Sequence, residues 1–200
     1  MKTATRSYNQ NARAESTEAT GRRIVDAFLA RLMEQWFDEI TLDRVAEDAG
    51  VTVQTVLRRF SGKEGLLASA VTIFAEQVKA KRAAPAGDVD RLIENLIADY
   101  EKTGDAVIRL LALEERHPAL EPVLELGRSE HRRWVSSAFA EPLRNLEPPA
   151  RRHTLDAIVI LTDVYTWKLL RRDMGQSVRE TAATMKNLIQ AITAHTSKHK

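Results

Sequence analysis

The side chains here whose type and spacing suit chemistry are five histidines, a glutamine beside a threonine, and two adjacent arginines. The histidines stand at 117, 131, 153, 195 and 199. His195 and His199 are four apart, a spacing at which one helix face can hold a metal, but the tail HTSKHK offers no evident third ligand. In EERH, Glu114 and His117 have the i, i+3 spacing of half a di-iron site. Such a site needs a second copy and further carboxylates, and the sequence has one copy; the motif reads more simply as a helix end. Cysteine is absent, which removes disulfides, thiol nucleophiles and cysteine-type zinc sites together. No nucleophile elbow or phosphate loop is present. No enzymatic activity, metal or cofactor is therefore expected.

The glutamine and arginines lie in RVAEDAGVTVQTVLRRF, residues 44–60. Leu42, Val45, Ala46 and Ala49 fit one helical face, and Thr41 is placed to cap it. Gly50 can take positive φ cheaply and so reverse the chain. Thr52 can cap a second short helix that Val56 and Phe60 anchor. Helices of fewer than about 10 residues are marginal alone, so packing must hold both. The second helix then presents Thr52, Gln54, Thr55, Arg58 and Arg59, the pattern of a helix-turn-helix whose second helix lies in the DNA major groove. Gln can pair with adenine, Thr can touch a thymine methyl, and Arg can pair with guanine or neutralise phosphate. A polar solvated helix in another kind of bundle is the competing reading. Val53 and Leu57 fit the apolar stripe as well as the outer face, so the residues alone leave them core or DNA-facing.

The elements around this motif are helical throughout. Residues 1–18 are polar, lack apolar periodicity and read as a flexible basic arm. Through Arg23 this end carries Lys2, Arg6, Arg13, Arg22 and Arg23 against Glu15 and Glu18, 5 − 2 = +3, while the whole chain is only +2. An argument for nucleic acid must therefore be local. Ile24, Val25, Phe28, Leu29, Leu32 and Trp36 share a helix face. Leu67, Ala70, Val71, Phe74 and Val78 make another. Pro85 and Gly87 break the pattern, with Asp88 as an N-cap. The stripe Val89–Tyr100 is expected to stop near Gly104 and a new helix to start at Asp105. Later helices are expected to about Leu146, over about 150–172 and over about 176–195. No segment shows strand periodicity or a repeat. The expectation is an all-α chain of 200 residues, 44% hydrophobic and 29% charged, with no membrane span or signal peptide and a cytoplasmic location.

ITLDRVAEDAGVTVQTVLRRFSGKEGLL, residues 40–67, resembles the signature of the TetR (tetracycline-repressor-like) transcriptional regulators. The likeness rests on Thr41, Val45-Ala46, Ala49-Gly50-Val51, Thr52, Thr55-Val56, Phe60, Lys63-Glu64 and Leu66-Leu67. It implies a DNA-binding head over 19–66, a ligand-binding and dimerisation body over 67–200, and a homodimer. Carried over by position, Thr41, Thr52, Val53, Gln54, Thr55, Leu57, Arg59 and Lys63 fall where members of the family contact DNA, with Lys63 meeting phosphate. Three positions depart from the family. Leu57 stands where an aromatic is usual, so that contact is lost or becomes apolar, and Arg59 replaces a common Tyr or His. Trp36 stands where a glycine often ends the first helix.

In the body, LDAIVILTDVYTWKLL (155–170) is apolar nearly all round and must be covered on more than one side. With the last helix it suits a dimer interface over about 150–195 and, by symmetry, a palindromic operator. Candidate ligand-binding residues are Arg109, Leu113, His131, Trp134, Asp163, Tyr165 and Trp167. Plain core is the competing reading of the Leu and the tryptophans. Asp163, inside the apolar segment, needs an arginine partner or a cationic ligand. The function expected is a ligand-controlled regulator, most simply a repressor. The alternative is a helical small-molecule-binding protein whose head no longer binds DNA.

Overall fold

A computed structural model describes residues 4–85 and 87–198, with side chains for 15–85 and 87–194. Among the described residues there are helices and no strand, as expected of an all-α chain. Lys2, Arg6, Arg13, His195 and His199 lie outside the described side chains. The chain divides into two compact units, residues 1–73 and 74–200.

The first unit is built on α1, Ala4–Glu34. Within the stretch 1–18, expected to be a flexible basic arm, the residues from Ala4 on are helical. No Pro or Gly precedes Gly21, and the buried stretch Ile24, Val25, Phe28 and Leu32 supplies a nucleus onto which further turns add one bond per residue. Glu15–Ala19 are exposed, so no apolar pattern marked this part of the helix. After Trp36 a single turn, Phe37–Glu39, leads into α2, Leu42–Ala49, then α3, Val53–Phe60. Phe37, Ile40, Val45, Ala46, Ala49 and Val56 close the core against α1. Arg31 of α1 grips Asp48 of α2 with two parallel bonds of 2.6 and 3.0 Å. Leu66, Leu67 and Ala70 of α4, Lys63–Lys81, complete this core.

The second unit holds α5, Val89–Ala112; α6, Glu121–Ala138; α7, Ala140–Leu143; α8, Pro148–Thr162; α9, Val164–Lys168; and α10, Val178–Lys198. Its core joins Leu92, Ile93, Leu96 and Ile97 of α5 with Phe139, Ile158, Trp167, Met185 and Ile189.

Two expectations are corrected here. Helix α5 does not stop at Gly104. A Cβ there would lie 2.4 Å from Cζ3 of Trp167, so this glycine makes room for an indole ring instead of ending a helix. The expected helix over 150–172 is broken at Asp163, whose backbone is extended (φ −71, ψ 153). Its Oδ1 accepts the Tyr165 amide at 2.9 Å and so caps α9. Beyond Lys168 the chain winds through a wide turn, Leu169–Asp173.

Candidate nucleic-acid interface

The site begins with two caps and a turn. Thr41 Oγ1 accepts the Arg44 amide, and Thr52 Oγ1 accepts the Thr55 amide at 3.3 Å. Between them Gly50 is left-handed (φ 64, ψ 41). Its amide reaches the Glu47 carbonyl and that of Val51 the Ala46 carbonyl, a Schellman closure that satisfies the end of α2. Val56 is fully buried, and this fixes the rotation of α3. Thr52, Gln54, Leu57, Arg58 and Arg59 are consequently exposed, with Val53 and Thr55 half-buried. The Leu57 side chain is 39% exposed, so it belongs to the outer face and not the core. Thr41 is exposed at the start of α2.

The exit from α3 is equally constrained. Ser61 is left-handed (φ 62) and Gly62 follows at φ 140. A Cβ on Gly65 would lie 1.9 Å from the Phe60 carbonyl oxygen, so α4 starts pressed against the end of α3. Lys63 is half-buried. Its ammonium donates to the carbonyls of Phe37 (2.9 Å), Ile40 (3.1 Å) and Asp38 (3.3 Å) and lies over the Phe37 ring. All three of its donors are used within the protein.

Residues 24–70 match the family model of bacterial regulatory proteins, tetR family. Over those residues the chain has a helix-turn-helix head of the tetR-family type. Most of the chain shares its fold with solved structures of transcriptional regulators. A protein from Rhodococcus sp. assigned to the TetR family superposes with a TM-score of 0.70 at 17% identity, covering 88% of this chain and 99% of its own. One from Mesorhizobium loti MAFF303099 with the same assignment gives 0.68 at 20%, covering 89% and 96%. A transcriptional regulator from Rhodococcus sp. Rha1 gives 0.68 at 15%, covering 88% and 96%. At these identities the likeness concerns the fold. Among curated proteins none matches the chain.

The candidate ligand residues of the body scatter over different environments. Trp167 is fully buried core, with its Nε1–H donated to Glu101 at 2.8 Å, and Leu113 is buried. Arg109 is half-buried on α5. Tyr165 is 57% exposed, and Asp163 serves as the cap of α9. His131 and Trp134 come together, their rings 5.7 Å apart, and the Asp163 charge lies close enough to act on His131 and Tyr100. They join residues that the sequence reading did not single out as polar. Arg82 and Asp99 form a buried ion pair at 2.6 Å, with the guanidinium over the rings of Tyr100 and Trp134. Tyr100 donates its hydroxyl to the Thr162 carbonyl at 3.1 Å, and burial pushes its pKa up to about 12. The His131 Nε2 faces Thr162 Oγ1 at 3.1 Å. Burial, with the Arg82 charge nearby, lowers the His131 pKa to about 4. Asp99 Oδ1 and His131 Nδ1 are buried with no hydrogen-bond partner among the described atoms. Glu114 of the EERH motif is taken by Arg128 at 2.5 Å. The one signal for the cluster was Asp99 itself, an acid inside the apolar run LIENLIADY.

Among the described residues, no helix is long and apolar enough to cross a membrane.

Proposed function

We propose that this protein is a repressor that binds a palindromic operator as a homodimer in the cytoplasm, and that a small molecule bound in the body controls it. The observation that carries the DNA reading is the outer face of α3. Fully buried Val56 turns Gln54, Leu57, Arg58 and Arg59 outward together. Gln54 suits adenine, the arginines suit guanine or phosphate, and exposed Leu57 suits a thymine methyl. Thr41, Thr52, Val53 and Thr55 flank that face and complete the DNA-contacting set.

The dimer reading rests on where large apolar side chains are left exposed. Ile160 is 65% exposed and Met174 60%, and Tyr165, Leu169, Val178 and Leu188 also lie open over the same part of the chain. A partner subunit covering this stretch of 150–195 removes that apolar surface from water. Ligand control rests on the cluster of Arg82, Asp99, Tyr100, His131 and Trp134, which holds buried polar atoms and aromatic walls in the body. On this reading ligand shifts the population between two head spacings, of which one fits the half-sites.

The test is selection of bound duplexes from a random DNA pool, followed by affinity for the winner against shuffled DNA across a salt series. An enriched inverted repeat bound well above shuffled DNA is expected. Arg58→Ala combined with Arg59→Ala should lose DNA binding and leave the circular dichroism and melting curve intact. Weak, steeply salt-dependent binding without an enriched sequence sinks the proposal.

A further inference from the structure

Helix α1 contains a glycine where its own stability gains nothing from one. Gly21 is buried in the helix interior, three residues before the core residue Ile24, and glycine is disfavoured there relative to alanine. A tertiary reason is visible. A Cβ at position 21 would lie 2.5 Å from Nε, 2.6 Å from Nη2 and 2.8 Å from Cζ of Arg59. The guanidinium at the C-terminal end of α3 therefore rests on the bare backbone of α1, in a space that any other residue at 21 would fill. Arg59 remains solvent-exposed there, as do neighbouring Arg22 and Arg23 on α1 and Arg58 on α3. Among the described side chains no ion pair engages these four arginines.

We infer that Gly21 is a positioning residue for DNA binding: it seats Arg59 against α1, so that this guanidinium meets the phosphate backbone beside the groove instead of a base edge. The inference rests on the DNA-binding reading above and deepens it. A guanidinium held at the flank of α1, beside two more cations, is displaced from the side chains of α3 that read bases. It neutralises a phosphate whatever the sequence. Arg59 thereby adds affinity, and Gln54, Thr55 and Leu57 are left to discriminate.

Two double-mutant cycles test this on the full-length protein. The first needs no DNA. Gly21→Ala replaces a helix-interior glycine, so it should raise the melting temperature, and raise it more when Arg59→Ala has already emptied the seat. An equal rise in both backgrounds overturns the seat. The second cycle uses the selected duplex and shuffled DNA over a salt series. Arg59→Ala should weaken both duplexes by the same factor and make the salt slope shallower by about 0.9, about eightfold at 0.1 M salt. Gly21→Ala should weaken both duplexes in the wild-type background and change nothing once Arg59 is alanine. Gly21→Ala binding like wild type, or losses that simply add, overturns the positioning role. A loss from Arg59→Ala confined to the selected duplex puts Arg59 on a base and overturns the phosphate assignment. Wild-type protein that selects no sequence at all overturns the regulator reading, and this role with it, while the melting cycle still reports the seat.

Discussion

At the scale of single residues, the decisive question is what each charged side chain already touches. The ammonium of Lys63 has three protons and three carbonyl partners in the Phe37–Ile40 turn. A phosphate would have to displace at least one of them. Lys63 therefore ties the start of α4 to the turn before α2 and holds the helix-turn-helix closed. Lys63→Met is expected to destabilise the protein by about 1–3 kcal/mol, since two partly buried carbonyls and an exposed one lose a charged donor. Measured by denaturant titration and salt-dependent affinity, it should lower stability and leave the salt slope unchanged. A slope shallower by about 0.9 with stability intact would make Lys63 a phosphate contact instead. His131 supplies a second prediction. Its folded pKa of about 4 lies below the ordinary 6.5, so the unfolded chain takes up the proton more readily. Stability from this group is present above pH 6.5 and lost as pH falls toward 4, by up to about 3 kcal/mol. The difference in stability between wild type and His131→Gln should shrink over that window. A difference independent of pH would show that the imidazole titrates normally.

At the scale of elements, the local signals and the tertiary ones part company. The caps of Thr41 and Thr52 and the left-handed Gly50 were legible because each acts within about four residues of itself. The capping box at the start of α10, where Ser177 and Glu180 exchange bonds, is equally local, yet the sequence reading missed it and placed that helix start two residues early. Gly104 shows the opposite case. Read locally, a glycine ahead of an aspartate ends a helix; in the fold its missing Cβ is where Trp167 packs, and α5 runs through. Gly104→Ala should therefore destabilise by about 1–3 kcal/mol through overpacking, against the gain of about 1 kcal/mol that helix propensity alone gives. A calorimetric melt shows which dominates; a stabilised Gly104→Ala would mean that the indole moves aside freely. Asp163 followed the same logic in reverse. Read from the apolar run around it, this acid calls for a charged partner or ligand; in the fold the chain also breaks there and its carboxylate caps α9.

At the scale of the whole molecule, the exposed apolar side chains between Ile160 and Leu188 set the prediction. Leu169→Glu with Leu188→Glu changes two side chains that are already open to solvent in the single chain. The fold should persist while light scattering at micromolar concentration falls from twice 22.5 kDa to 22.5 kDa, and operator affinity falls with it. A wild-type protein that is already monomeric removes the interface.

The sequence by itself determined the all-helical class, the helix-turn-helix with its caps and turn, and the identity of most residues on the outer face of α3. These follow from periodicity and from backbone preferences that neighbouring residues impose on one another. Tertiary structure alone decided that Leu57 faces outward, that Lys63 is occupied by carbonyls, that Arg59 rests on Gly21, and that Arg82 meets Asp99 inside the body. Each of these joins residues between 17 and 38 positions apart, or, for Leu57, depends on how α3 is rotated when Val56 is buried. Partner choice at such separations is set by which helix faces pack together, and no local pattern encodes it.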